Sequence, residues 1–181
     1  GKYSDELKSS CEEVVEQLYN SGVNFFAVDF DDTLISVHTN SKWDKSAADL
    51  AYKVRPFFKI LIPQLLHRGF CIAVVTFSKQ CILIQDVLRE VFPKLHDRIV
   101  IRGNDDTWEH KSQTIKEGKQ YHMASAAEYL QKKYRVSITR SSTLLVDDHA
   151  DNIWQALKQN VRAVRYYPDN PDRIILDLLE V

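Results

Sequence analysis

Acidic residues gather directly behind short apolar runs in this chain. Asp29-Phe30-Asp31-Asp32-Thr33 follows one such run, Asp147-Asp148 follows another, and Thr76-Phe77-Ser78 follows a third. Two carboxylates held about 4 Å apart repel by roughly 4 kcal/mol at an effective dielectric of about 20. Bringing Asp29, Asp31, Asp147 and Asp148 to one rim therefore requires a cation. Hard carboxylate and carbonyl oxygens suit Mg²⁺, which keeps several waters and often shares its site with phosphate. Lys119, just before a helical segment, adds a fixed positive charge. Together these residues read as a phosphoryl site.

Such a set is useful only if the fold aligns the ends of the apolar runs. Those runs lie at residues 24–30 (NFFAVDF), 71–76 (CIAVVT), 98–102, 142–146 (STLLV) and 161–166. They are short, nearly continuous and rich in β-branched or aromatic residues, as strands covered on both faces are. Between them the apolar spacing turns helical. Cys11, Val14, Val15 and Leu18 share one face of a first helix, with Ser4 as N-cap and Gly22 as stop. Further helices are expected at 47–54, from Pro56 to Gly69, and at 80–92, where Ile84, Val87, Leu88 and Val91 share a face. Others follow at 120–134, 152–158 and 172–179. Pro63 should kink or divide the helix that contains it. The alternation predicts an α/β fold, a Rossmann-like three-layer sandwich around a parallel sheet of about five strands. In such sheets ligands collect at the carboxyl ends of strands, near the switch in strand order.

The 181 residues fit a single domain, 44% hydrophobic and 27% charged, a balance that excludes a disordered, collagen-like or disulfide-scaffold chain. Helices, one strand and the loops at 36–45 and 103–118 fill the intervals between Thr33 and Thr76 and between Ser78 and Lys119. No separate cap domain fits there, so the site should lie open unless those loops or an oligomer partner cover it. Twenty-four basic against 25 acidic side chains give a net charge of −1, and nucleic acid is not indicated as a partner. Cys11, Cys71 and Cys81, odd in number and set in apolar patterns, suit reduced thiols and a cytoplasmic location. No apolar stretch reaches the length of about 18 residues that crosses a membrane, and GKYSDELKSS lacks an apolar signal segment.

Taken in order, Asp29-x-Asp31-x-Thr33, Thr76, Lys119 and Asp147-Asp148 resemble the four motifs of the haloacid dehalogenase superfamily. The resemblance covers roughly residues 25–166. Gly118-Lys119-Gln120-Tyr121-His122-Met123 followed by LLVDDHADNI looks most like the capless, magnesium-dependent phosphatase branch. The resemblance implies that Asp29 is the nucleophile, forming an aspartyl phosphate. It implies that Asp31 protonates the leaving oxygen and later deprotonates the hydrolytic water. Mg²⁺ would be held by the Asp29 carboxylate, the Asp31 carbonyl and Asp147, supported by Asp148. Thr76 and Lys119 would bind the remaining phosphoryl oxygens, and Thr33 would brace the first loop. The implied partner is a phosphorylated small molecule or a phosphoprotein, since capless members often act on protein-borne or other bulky phosphates and some take small sugars.

Blander roles compete for several of these positions. Asp29 and Asp31 alone would be a solvated turn, with Asp32 as turn former, and Thr76 a β-branched strand end. Lys111 and Lys116 compete with Lys119, and Asp148 can serve as a helix N-cap while Asp151 or Asn152 shares metal support. His38, Trp43, Trp108 and His110 border the site from the polar loops. His122 and His149 read as structural, and Lys132, Lys133 and Arg135 as a solvated helix end. The alternative function is a non-catalytic phosphate-binding or regulatory module; the acid at Asp31 favours turnover.

Overall fold

Five strands, β1 Phe25–Val28, β2 Cys71–Val75, β3 Ile99–Arg102, β4 Thr143–Asp147 and β5 Arg162–Arg165, form one all-parallel sheet in the order β3-β2-β1-β4-β5. The structure, a computed structural model, describes residues 2–109 and 117–181. The expected positions Lys111, Lys116 and His110 lie outside the described residues. Around the sheet are α1 Lys2–Asn20, α2 Ala47–Ala51, α3 Pro56–His67, α4 Cys81–Val91, α5 Gln120–Tyr134, α6 Ala150–Lys158 and α7 Arg173–Leu179.

Strand alternation divides the core in two. Phe26, Val28, Ile72, Val74, Leu144 and Val146 point to one face, where they pack with apolar residues of α1, α3, α4 and α7. Phe25, Ala27, Cys71, Ala73, Val75 and Leu145 point to the other, against Met123, Ala126 and Leu130 of α5 and Ala156 of α6. Every residue of β1, β2 and β4 is buried, which is why 25–28, 71–75 and 144–146 read as unbroken apolar runs, with the buried polar Thr143 and Asp147 at the ends of β4. Small side chains on the second face, Ala27 and Ala73 opposite Ala126 and Ala156, allow α5 and α6 to approach the sheet closely. That seating determines where the start of α5 falls, and with it Lys119.

Three local expectations need correction. Helix α3 runs undivided through Pro63. The carbonyl that loses its partner belongs to Lys59, which is exposed and can turn to water, while Phe57, Phe58, Leu61, Ile62, Leu65 and Leu66 are buried on either side and hold the helix. Helix α1 begins at Lys2, so Ser4 lies within the helix and not at its cap. Helix α2 is also shorter than its pattern: it stops at Ala51, and Val54 pairs with Ile35 in an isolated antiparallel bridge.

Candidate active site

Strand order reverses direction at β1 and β4, and the acidic residues stand on these two strands' carboxyl ends. Val28 lies opposite Val146, and the Asp29 N–H donates to the Val146 carbonyl at 2.9 Å, so the ladder carries Asp29 to the rim beside Asp147. Beyond Asp29 (φ −69°, ψ 157°) the chain turns widely: Leu34 N–H reaches the Asp29 carbonyl at 3.2 Å and Ile35 N–H the Phe30 carbonyl at 3.1 Å. Asp32 takes a left-handed φ of 60° in this turn, a conformation that Asp tolerates because its short polar side chain bonds locally. Its carboxylate meets His38 Nδ1 at 3.0 Å.

Lys119 joins the two strand ends. Its Nζ donates to Asp29 Oδ1 and to Asp147 Oδ2, both at 2.6 Å, and the three side chains are 2%, 10% and 0% exposed. Burial raises the Asp29 carboxyl well above the ordinary range, and the Asp147 charge raises it further; the Lys119 ammonium opposes both. Burial also works against the Lys119 ammonium, but the Asp147 and Asp29 carboxylates outweigh it and hold the lysine above its usual value. Lys119 is therefore a permanent cation inside the acidic cluster.

Thr33 binds the loop after β1 to the loop after β4. Its hydroxyl accepts the Asp148 N–H at 3.0 Å and lies 3.3 Å from Asp29 Oδ2 and 3.2 Å from Asp148 Oδ1. A hydroxyl carries one proton, so it donates to one of those carboxylates at a time. Arg55 holds the same turn from behind, donating to the carbonyls of Thr33 at 2.8 Å and Asp32 at 3.0 Å while its guanidinium lies 4.6 Å from the Tyr166 ring centroid. Asp148 does not cap α6: the cap residue is His149, with no side-chain cap bond, and the Asp148 carboxylate faces Thr33 and the acidic cluster.

The remaining expected residues divide between this site and its surroundings. Asp31 and Thr76 line the same cavity of about 250 Å³ as Asp29, Lys119, Asp147 and Asp148. The Thr76 hydroxyl accepts the Ser78 N–H at 3.0 Å, which leaves its proton for another acceptor. Asp31 Oδ1 receives both the N–H and the hydroxyl of Thr39, each at 2.7 Å. The His149 N–H donates to Asp147 Oδ1 at 2.8 Å, and its side chain lines the cavity with His38. Buried Asn152 donates to Asp147 Oδ2 at 3.2 Å, while its Oδ1 is buried with no hydrogen-bond partner among the described residues. Asp151 is exposed and outside the cavity lining. Trp43 and Trp108 turn their indole N–H groups to the carbonyls of Ser46 and Gly103, at 3.0 and 2.7 Å. His122 packs between Phe77 and Trp108 and contacts Asn104 Oδ1 at 2.8 Å. Lys132 pairs with Glu128 at 3.4 Å on the exposed end of α5.

The donor chemistry fits a divalent metal. Asp29, Asp147 and Asp148 each offer a carboxylate oxygen, and these oxygens lie within 4.8 Å of one another. With all three ionised, Lys119 compensates only one of their charges, which leaves the two that a divalent ion would neutralise. Thr39 and Arg55 escape a reading of the chain because neither stands at a strand end. Their only local signals are a Thr-Asn-Ser run with turn character and an Arg held extended before Pro56.

The fold is similar to the crystal structure of the N-terminal part of the protein BF1531 from Bacteroides fragilis, containing a phosphatase domain complexed with Mg. The TM-score is 0.53 at 14% sequence identity, and the match covers 92% of this chain and 42% of that one. At this identity the likeness bears on architecture. No protein-family model and no curated protein matches the chain.

Proposed function

We propose that this chain is a Mg²⁺-dependent phosphomonoester hydrolase of the haloacid dehalogenase type, working through an aspartyl phosphate on Asp29. The observation that carries the reading is the convergence of Asp29 and Asp147 on the Lys119 ammonium, with Asp148 in the same cluster, at the switch in strand order. A fold shared with a phosphatase domain that binds Mg supports it. Asp29, Asp147 and Asp148 would hold the metal, with the Asp31 carbonyl as the further expected ligand. When bound, Mg²⁺ supplies charge neutralisation between the carboxylates and an anionic substrate.

In this scheme a phosphoryl group enters the cavity between Thr76 and Lys119, whose hydroxyl and ammonium orient its oxygens. An Asp29 carboxylate oxygen forms a bond to phosphorus as the ester P–O bond breaks. The electron pair of that bond goes to the leaving oxygen, which takes the proton of Asp31. Water then attacks the phosphorus and gives a proton to the Asp31 carboxylate. The Asp29–phosphorus bond breaks, releasing inorganic phosphate and restoring both aspartates. Thr33 and Arg55 keep the loop from relaxing while Asp29 changes charge. The substrate class is a protein-borne, sugar or other phosphate ester, and the unpaired cysteines, with Cys11 and Cys71 buried, accord with a reducing, cytoplasmic setting.

The test is phosphate release from p-nitrophenyl phosphate with and without Mg²⁺, for the wild type and Asp29→Asn. Metal-dependent release that disappears in Asp29→Asn is the expected result, and unchanged turnover by the variant rejects the nucleophile. Phosphate binding without turnover by the wild type would instead fit a regulatory module.

A further inference from the structure

The loop at 36–45 is built as a fixed wall. Asn40 and Ser41 both hold left-handed φ angles, 56° and 57°, and the Lys42 N–H closes back on the Thr39 carbonyl at 3.0 Å. This is a mirror-image β-turn made without glycine, a conformation that costs about 1 kcal/mol or more per residue. Contacts to the segment after β2 hold it in place. Gln80 brackets Trp43, accepting its N–H at 2.9 Å and donating to its carbonyl at 3.0 Å, and the Lys79 N–H donates to Ser41 Oγ at 3.2 Å. The product of that constraint is Thr39, buried among polar neighbours, with both of its donors on the single oxygen Asp31 Oδ1.

We infer that Thr39 is the positioning residue for Asp31 in proton transfer to the leaving group. With Oδ1 held twice, Oδ2 is the oxygen that carries the proton, and the carboxyl cannot swing about its side-chain torsions. In the transfer, the Asp31 O–H bond breaks as the same proton bonds to the leaving oxygen, which has just received the electron pair of the P–O bond. Thr39 touches neither atom and acts through the orientation of Asp31. The inference rests on the phosphatase reading above and goes beyond it, since that reading assigns the loop no part in the chemistry.

A positioning role for the acid predicts dependence on the leaving group, which a general structural role does not. Phenyl phosphate releases phenolate, a poor leaving group whose oxygen needs protonation, whereas the p-nitrophenolate released from p-nitrophenyl phosphate scarcely needs it. In Thr39→Val, which loses one of the two bonds, kcat/KM with Mg²⁺ should fall about tenfold on phenyl phosphate and less than about threefold on p-nitrophenyl phosphate. Thr39→Ser, which keeps both donors, should stay close to wild type on both esters. If Thr39→Val does not fold, Thr39→Ala provides the same comparison. Equal losses on the two esters, no loss on either, or a Ser variant as impaired as the Val variant would each overturn the assignment while the wild type remains active. A wild-type protein inert toward both esters with Mg²⁺ would overturn the phosphatase reading and this inference with it.

Discussion

Replacing Lys119 by Met removes the cation that, among the described residues, lies within the acidic cluster, and keeps most of the side-chain volume. In the wild type its Nζ lies 2.6 Å from both Asp29 Oδ1 and Asp147 Oδ2, with all three side chains at most 10% exposed. Deleting one partner of a buried ion pair costs about 3–5 kcal/mol, because the remaining charge stays out of water without compensation. Asp29 has a way to soften that loss. Burial and the Asp147 charge already raise its carboxyl, and without the lysine it takes up a proton more readily. The folded variant then binds more protons than the unfolded chain, so stability is greatest at low pH and is lost as pH rises through the raised value. We expect a loss of about 3 kcal/mol near pH 8 in EDTA, or about 6–12 °C in Tm for a chain of this size, shrinking toward pH 5. Saturating Mg²⁺ should recover much of it, since a ligand at about 100 times its Kd stabilises by about 2.7 kcal/mol. Thermal and urea unfolding followed by tryptophan fluorescence, at both pH values and with or without Mg²⁺, measures all of these. A variant as stable as wild type in EDTA at pH 8, or a loss that grows toward acid, would refute the electrostatic account.

The other expectations concern the metal, the first loop and the thiols. Mg²⁺ should raise the Tm of the wild type by several degrees, about 1–3 kcal/mol of binding linkage, and Asp147→Asn should abolish the shift; an identical shift in the variant would place the metal elsewhere. Arg55→Ala removes two bonds to the loop carbonyls and the contact with Tyr166, and should cost about 2 kcal/mol by urea unfolding together with a fall in phosphatase turnover. Loss of stability with full turnover would show that the turn holds its shape unaided. Burial pushes the Cys11 and Cys81 thiols up to about 12 and raises Cys71 as well, so at pH 8 a disulfide reagent should label the native protein far more slowly than the same protein in guanidinium. Rapid labelling of native Cys11 would contradict its burial. Because the folded-state values lie above that of a free thiol, these cysteines stabilise the fold below about pH 9 and lose that contribution as the pH rises toward 12.

The strands were legible because burial on both faces demands apolar residues at every position, a demand that a single stretch of chain displays. Phe25–Val28 and Cys71–Val75 contain no polar residue at all. Asp29 and Asp147 were legible for the complementary reason: a carboxylate at the end of such a run can be buried only with charged or hydrogen-bonding partners, so its position implies a built polar site at the strand ends. Pro63 was expected to kink or divide its helix, and α3 is not divided there because the expectation left out the neighbours. Here six buried apolar side chains hold α3 together and an exposed Lys59 carbonyl tolerates the lost bond.

Local pattern thus sufficed for the sheet, its two-sided burial and the acids at the strand ends, since hydrophobic periodicity is a property of adjacent residues. It was silent on partnership. Asp29 finds Lys119 across 90 residues and Thr33 finds Asp148 across 115, while Thr39 turns back on Asp31 only because an unrelated segment at Lys79 and Gln80 clamps its loop. Which donor meets which acceptor depends on how crossovers close and helices seat against the sheet. Hydrogen bonds and ion pairs act over a few ångströms of space whatever the distance along the chain.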